Sequence, residues 1–192
     1  MGRTSRVPTS SGGGEARFRI LYRDHWNAIY AYVVRRVAND RGEVEDMVAD
    51  VFEVAWKKLN EIPPPPEDIY WLYRVAHNMV ARRHRKSFRQ RNAMDRFLSQ
   101  PADWTPPVTY SSFDDSGFDL TGIGLGSFDP ERLHSLLASL PETESEALRL
   151  VHWEQLSVME AAIILDCTPN AVSIRLNRAR AKLRSHLEDR AG

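Results

Sequence analysis

LSVMEAAIILDCTPNAVSIRLNRARAKLRSHL, residues 156–187, decides the reading of this chain. Ser157 and Glu160 have capping-box spacing, in which hydroxyl and carboxylate each satisfy a backbone N–H at a helix start. The short helix so opened carries Ala161, Ala162, Ile164 and Leu165, small and apolar enough for close packing. Asp166-Cys167-Thr168 reads as a turn, after which Thr168-Pro169 supplies an N-cap and a first-turn proline for a second helix. There Val172, Leu176, Ala179 and Leu183 recur at helical spacing as the buried stripe. The opposite side presents Ser173, Ile174, Asn177 and Arg178, and Arg175, Arg178, Arg180, Lys182 and Arg184 place five cations in ten residues with no acid between them. Small polar side chains for base edges beside cations for phosphates suit a helix lying in a DNA major groove.

Charge is segregated along the rest of the chain. The formal net charge over 192 residues is zero, yet residues 82–91 hold six Arg or Lys and no acid, while 99–130 hold five Asp (103, 114, 115, 119, 129) and no base. Clustered cations meet phosphates whatever the sum, so the balance does not argue against nucleic acid. The single cysteine, Cys167, excludes an intramolecular disulfide and suits a reducing cytosol. No apolar run approaches the ~20 residues of a membrane span and no signal-peptide core opens the chain, which predicts a cytoplasmic protein. The six histidines have no metal-ligand spacing and no catalytic constellation appears. No enzymatic activity, cofactor or metal is expected.

Working outward, residues 1–14 end in Ser-Ser-Gly-Gly-Gly and predict a disordered tail. Phe18, Leu21, Tyr22, Trp26, Ile29, Val33 and Val37 form one helical stripe, and Val44, Met47, Val48, Val51, Phe52, Ala55 and Leu59 a second, backed by Glu45, Asp46, Asp50 and Glu53. Pro63 to Pro66 force an extended loop. A third helix from about Asp68 to Arg91 has Ile69, Leu72, Val75, Ala76 and Met79 on one side, and Trp71, Arg74, Asn78, Arg82, Arg85 and Arg89 on another. An aromatic ring among guanidinium groups suits melted or single-stranded nucleic acid, with bases stacking and cations tracking the backbone. A segment without periodicity fills 99–130, and helices resume near Glu131 and Glu142. The expected fold is all-α: a domain over 15–98, an acidic flexible linker over 99–130 and a second domain over 131–192. These residues alone leave open a helix-turn-helix regulator with an unrelated effector domain, and a protein-interaction module.

Two blocks resemble a known family. Asp46-Met-Val-Ala-Asp50-Val-Phe52-Glu-Val-Ala55-Trp56, Trp71-Leu-Tyr-Arg-Val-Ala-His-Asn78 and Arg85-Lys86 resemble region 2 of extracytoplasmic-function (group IV) sigma factors. Leu140-Pro141 and the helix-turn-helix through Ala179-Arg180 resemble their region 4. The resemblance implies a sigma factor that binds core bacterial RNA polymerase, through the β′ clamp helices and the β subunit, and directs it to promoter DNA. It implies polymerase docking by Asp46, Asp50, Phe52, Glu53 and Trp56. Recognition and melting of the −10 element fall to Glu61, Asp68, Trp71, Arg74, Asn78, Arg82, Arg85 and Lys86. Reading of the −35 element falls to Thr168, Ser173, Ile174, Arg175, Asn177, Arg178 and Arg180. It also implies control by an anti-sigma factor. The linker aromatics Trp104, Tyr110, Phe113, Phe118 and Phe128 are many for a pure spacer and predict either folding back on a domain or contact with such a partner. In the family the two elements lie about 17 base pairs apart, roughly 58 Å. A 32-residue linker (99–130) reaches up to ~110 Å and spans that gap.

Overall fold

Apolar residues at helical spacing build the first half from three helices: α1 (Ser11–Val34), α2 (Arg41–Lys57) and α3 (Asp68–Leu98), with a 3-10 turn at Leu59–Glu61 after α2. The second half holds a helical turn at 136–139, then α4 (Glu142–His152), α5 (Val158–Ile164) and α6 (Pro169–Glu188). This computed structural model describes residues 11–37, 41–98 and 136–188. Residues 1–10 lie outside them, as does the expected linker over 99–130 with its aspartates and aromatics. Among the described residues there is no strand, and the chain is all-α.

α1, α2 and α3 pack against one another. Their shared core is Leu21, Ile29, Val33 and Val37 from α1 and its end, Val44, Val48, Val51, Phe52 and Ala55 from α2, and Leu72, Tyr73, Ala76 and Val80 from α3. Arg17 donates to the Ile62 carbonyl at 2.6 Å, tying α1 to the loop before α3. In the second half α4 and α5 pack on α6, burying Leu148, Leu150, Ala161, Ile164, Val172, Leu176, Ala179 and Leu183. Two boundaries differ from the sequence expectation. Helix α1 begins at Ser11 instead of near Glu15, because the helix absorbs three glycines whose poor propensity had marked them as tail. Helix α3 runs on to Leu98, through the basic run and beyond Arg91.

The two halves also pack directly on each other, α3 lying beside α5. At their junction Arg36, at the end of α1, is buried with its side chain 1% exposed. Its Nε donates to both carboxylate oxygens of Glu146, at 3.0 and 2.9 Å. Its Nη1 donates to Glu154 at 3.0 Å and to the Tyr32 carbonyl at 3.0 Å. The Tyr32 hydroxyl donates to Glu146 at 2.8 Å, and the guanidinium carbon sits 3.6 Å from the centroid of the Tyr32 ring. Arg35 closes the cluster from outside, donating to Glu154 at 2.6 Å. Burial alone would push the Glu146 carboxyl up, but the Arg36 charge and hydrogen bonds from His77 and Arg36 outweigh it and hold the group well below the usual carboxylate range. Burying ions is costly, so such a cluster adds little net stability. Removing one member, however, strands the others.

Glu146→Ala should therefore destabilise the chain by about 3–5 kcal/mol in urea unfolding, far more than loss of an exposed pair; a loss under about 1 kcal/mol would contradict the burial. The Glu146 contribution should be complete at and above pH 4.5, the ordinary value of the carboxyl. Because the folded value is depressed, it should fade as pH drops below that, and unfolding midpoints followed from pH 7 to pH 3 would show it.

Candidate nucleic-acid and polymerase surfaces

The helix-turn-helix forms from local chemistry. Ser157 Oγ accepts from the Glu160 amide at 3.2 Å and Glu160 Oε2 accepts from the Ser157 amide at 2.7 Å, the reciprocal pair that starts α5. Asp166 turns the chain with φ 50°, a conformation that Asp tolerates better than most residues. Thr168 Oγ1 then accepts from the Ala171 amide at 3.2 Å and caps α6, with Pro169 at its first position. Val172, Leu176, Ala179 and Leu183 are all buried. This turns Ile174, Asn177 and Arg178 to the outside, with Ser173, Arg175 and Arg180 half-buried at the flanks and Thr168 exposed at the start. Ser173 Oγ donates to the Pro169 carbonyl at 3.1 Å. Arg175 points back over the turn, its Nη1 3.6 Å from Cys167 Sγ. The helix therefore offers an apolar, an amide and a guanidinium group outward together, a set able to read base edges and phosphates.

The third helix carries two adjacent faces. Trp71 is half-buried against the core, while Asn78, Arg82, Arg85 and Lys86 are exposed and follow it at helical spacing. Arg74, exposed between them, reaches across to Asp166 at 2.9 Å. Glu61 is exposed and pairs with Lys58 at 2.8 Å. Asp68 departs from the expectation. It is buried, 6% exposed, accepts from the Ile69 amide at 3.0 Å and lies 3.0 Å from His25 Nε2. Its carboxylate anchors the start of α3 on α1 and is not presented to DNA.

The acidic face of α2 is likewise mostly where its spacing puts it. Asp46, Asp50 and Glu53 are exposed on one side, continued by Trp56, 48% exposed. Trp56 meets Phe18 edge-on with ring centroids 5.1 Å apart, and Ile20 and Tyr22 of α1 are exposed as well. Phe52 departs from the expectation: only 2% exposed, its ring lies 4.7 Å from that of Tyr22 and 6.4 Å from that of Phe18. It lies beneath that face as a core residue. An acidic face ending in an exposed tryptophan suits a partner surface of basic and apolar side chains.

The residues that sequence reasoning missed are those joining the halves: Tyr32, Arg35, Arg36, Tyr70, Glu146, Glu154 and Asp166. Arg36 carried the one usable signal. It falls three residues after Val33 and four after Tyr32, a cation on an apolar stripe, which calls for a buried acid.

Residues 21–90 match the family "Sigma-70 region 2" and residues 131–183 match "Sigma-70, region 4". The chain belongs to the sigma-70 family, in its extracytoplasmic-function group. Among relatives of this sigma factor, the RNA polymerase sigma-H factor of Pseudomonas aeruginosa is 26% identical over 187 residues, covering 92% of this chain and 89% of the relative. The probable RNA polymerase sigma factor RfaY of Xanthomonas campestris pv. campestris is 23% identical over 188 residues, and the match takes in 96% of this chain but 44% of that protein. The solved sigma factor RpoE of Bartonella quintana, in complex with the anti-sigma factor NepR, has the same fold, with a TM-score of 0.60 at 22% identity over 89% of this chain and 96% of that one. In this sigma factor the region 2 match spans most of α1, all of α2 and most of α3, and the region 4 match contains α4, α5 and most of α6.

The Ser157 cap is local to the helix-turn-helix. Ser157→Ala should cost about 1 kcal/mol in thermal unfolding while leaving the core intact. No measurable cost would mean that Glu160 holds the helix start without it.

Proposed function

We propose that this sigma factor joins core RNA polymerase and selects promoters by reading two elements. The −10 element falls to the Trp71–Lys86 face of α3 and the −35 element to the outer side of α6. The observation that carries this reading is the pairing of two distinct DNA-type surfaces with a third, acidic-aromatic surface in one chain. Helix α6 offers Ile174, Asn177 and Arg178 to duplex DNA, the form that major-groove readout needs. Helix α3 offers Asn78, Arg82, Arg85 and Lys86 beside Trp71, suited to strands already separated. A helix-turn-helix regulator with an effector domain would not need the exposed Asp46, Asp50, Glu53 and Trp56 face, which suits polymerase docking.

In this mechanism the protein performs no covalent step. It supplies binding energy that places polymerase at a start site, stabilises melted bases on α3 and leaves the chemistry to polymerase. Work in the cytoplasm fits the lone cysteine and the finding that no described helix is long and apolar enough to cross a membrane. Control by an anti-sigma factor is part of the reading, supported by the solved relative in complex with NepR.

The test is reconstitution with core bacterial RNA polymerase on genomic fragments, followed by mapping of transcript 5′ ends. Discrete starts sharing a bipartite upstream motif are expected. Tight duplex binding without any polymerase-dependent start would instead favour the regulator. On the promoters so found, Arg178→Ala should lose about 1–3 kcal/mol of discrimination at one −35 position, read by competition binding of the holoenzyme. Trp56→Ala should weaken association with core polymerase and leave DNA preference unchanged; an altered −35 preference would place that tryptophan elsewhere.

A further inference from the structure

Helix α1 lies beside the connection between α2 and α3 and holds it at both ends. Arg17, Leu21 and His25 follow one another at intervals of four, along one face of α1. Leu21 is buried in the core. One turn before it, the Arg17 guanidinium donates to the Ile62 carbonyl at 2.6 Å. One turn after it, His25 Nε2 lies 3.0 Å from the Asp68 carboxylate. A carboxylate can only accept, so that nitrogen is the donor. Ile62 and Asp68 are 4% and 6% exposed, and they bracket the loop Pro63-Pro64-Pro65-Pro66-Glu67, exposed from Pro64 onward.

That loop has little with which to hold itself. Four successive prolines have no N–H to donate, and the one amide of the segment, that of Glu67, goes to the Pro64 carbonyl at 3.1 Å. The prolines make the loop stiff, and a stiff segment turns as a unit about its ends. Where it points is therefore set at Ile62 and Asp68, by two side chains of α1. The loop leads without a break into the DNA-facing side of α3. The Trp71 amide donates back to the Glu67 carbonyl at 3.4 Å, so the loop and Trp71 share the first turn of that helix. A separate side of α3 meets the second half of the chain, where the Tyr70 hydroxyl donates to Glu160 and His84 Nδ1 lies 3.1 Å from Glu142.

We propose that Arg17 and His25 are positioning residues for −10 reading. They fix the direction of the proline loop and the first turn of α3, and with them the place of Trp71 over the melted strand. Neither side chain needs to touch DNA for this. The proposal rests on the promoter-reading function given above. Bonds that only stabilise the fold would, when lost, weaken every activity of the chain together. Bonds that aim the loop act on the −10 element alone, since the acidic face of α2 and the outer side of α6 belong to other elements. Arg17 is exposed, so its replacement puts little of the fold at stake.

The test uses holoenzyme assembled from core bacterial RNA polymerase and the full-length chain, as wild type, Arg17→Ala, His25→Ala and His25→Gln. Three quantities are read on a promoter found by transcript mapping. They are affinity for core polymerase, preference for the native over a scrambled −35 element, and preference for the native over a scrambled −10 element presented as a single strand. Arg17→Ala and His25→Ala should each lower the −10 preference roughly fivefold, the worth of about one hydrogen bond, and leave the other two unchanged. His25→Gln, whose amide can donate to Asp68 as the imidazole does, should recover most of the loss. An undiminished −10 preference in either Ala variant would overturn the role given to that side chain. An equal fall in core affinity or −35 preference, or a His25→Gln chain as weak as His25→Ala, would overturn positioning in favour of a structural contact. Absence of any polymerase-dependent start from the wild type would overturn the promoter-reading function itself, and positioning with it.

Discussion

A buried guanidinium with two buried carboxylates organises this molecule. Arg36 lies just past the end of the first helix, buried away from solvent, and its partners Glu146 and Glu154 come from the other half of the chain, more than a hundred residues on. An ion so placed must be matched or the fold cannot keep it there. The consequence is geometric more than energetic: burial of the cluster contributes little net stability, but it specifies one registration of the two halves. With α4 fixed over the end of α1, α5 falls beside α3, and the polar contacts at Tyr70, Arg74 and His84 follow.

The same registration divides α3 between two tasks. Its Tyr70–His84 side is committed to the second half, while the neighbouring Asn78–Lys86 side stays exposed, and Arg74 sits on the boundary between them. The acidic face of α2 and Trp56 also remain uncovered. This registration therefore leaves the acidic face of α2 and the outer side of α6 accessible.

Much of this was legible in the sequence, and the reasons differ by element. The helix-turn-helix was readable almost residue by residue because caps, turn and apolar stripe are all local chemistry: Ser157, Glu160, Thr168 and Pro169 act within four residues of themselves. The α2 and α3 faces were readable from periodicity, with two exceptions. Phe52 and Asp68 lie in segments that carry functional residues, yet tertiary packing draws Phe52 under the Tyr22 and Phe18 rings and Asp68 under His25. Spacing along a helix gives the side a residue occupies and not what covers it. The start of α1 was misplaced because three glycines argue against helix on propensity alone. The junction was invisible for a different reason. Glu146 follows Glu142 and Glu144, first-turn acids of α4 that the helix dipole favours, and reads as one more acid in that run, so nothing local marked it as the partner of a cation 110 positions earlier.

The account turns on one registration of the two halves, set by Arg36 with Glu146 and Glu154. A full-length chain labelled at Asn27→Cys on α1 and Ser185→Cys on α6, in a Cys167→Ala background, would report their separation by fluorescence energy transfer. Efficient transfer in the chain alone, falling sharply when Glu154→Gln removes the charge facing Arg35 and Arg36, is the predicted result. Equally efficient transfer in that variant would contradict it, since other contacts would then set the registration of the halves.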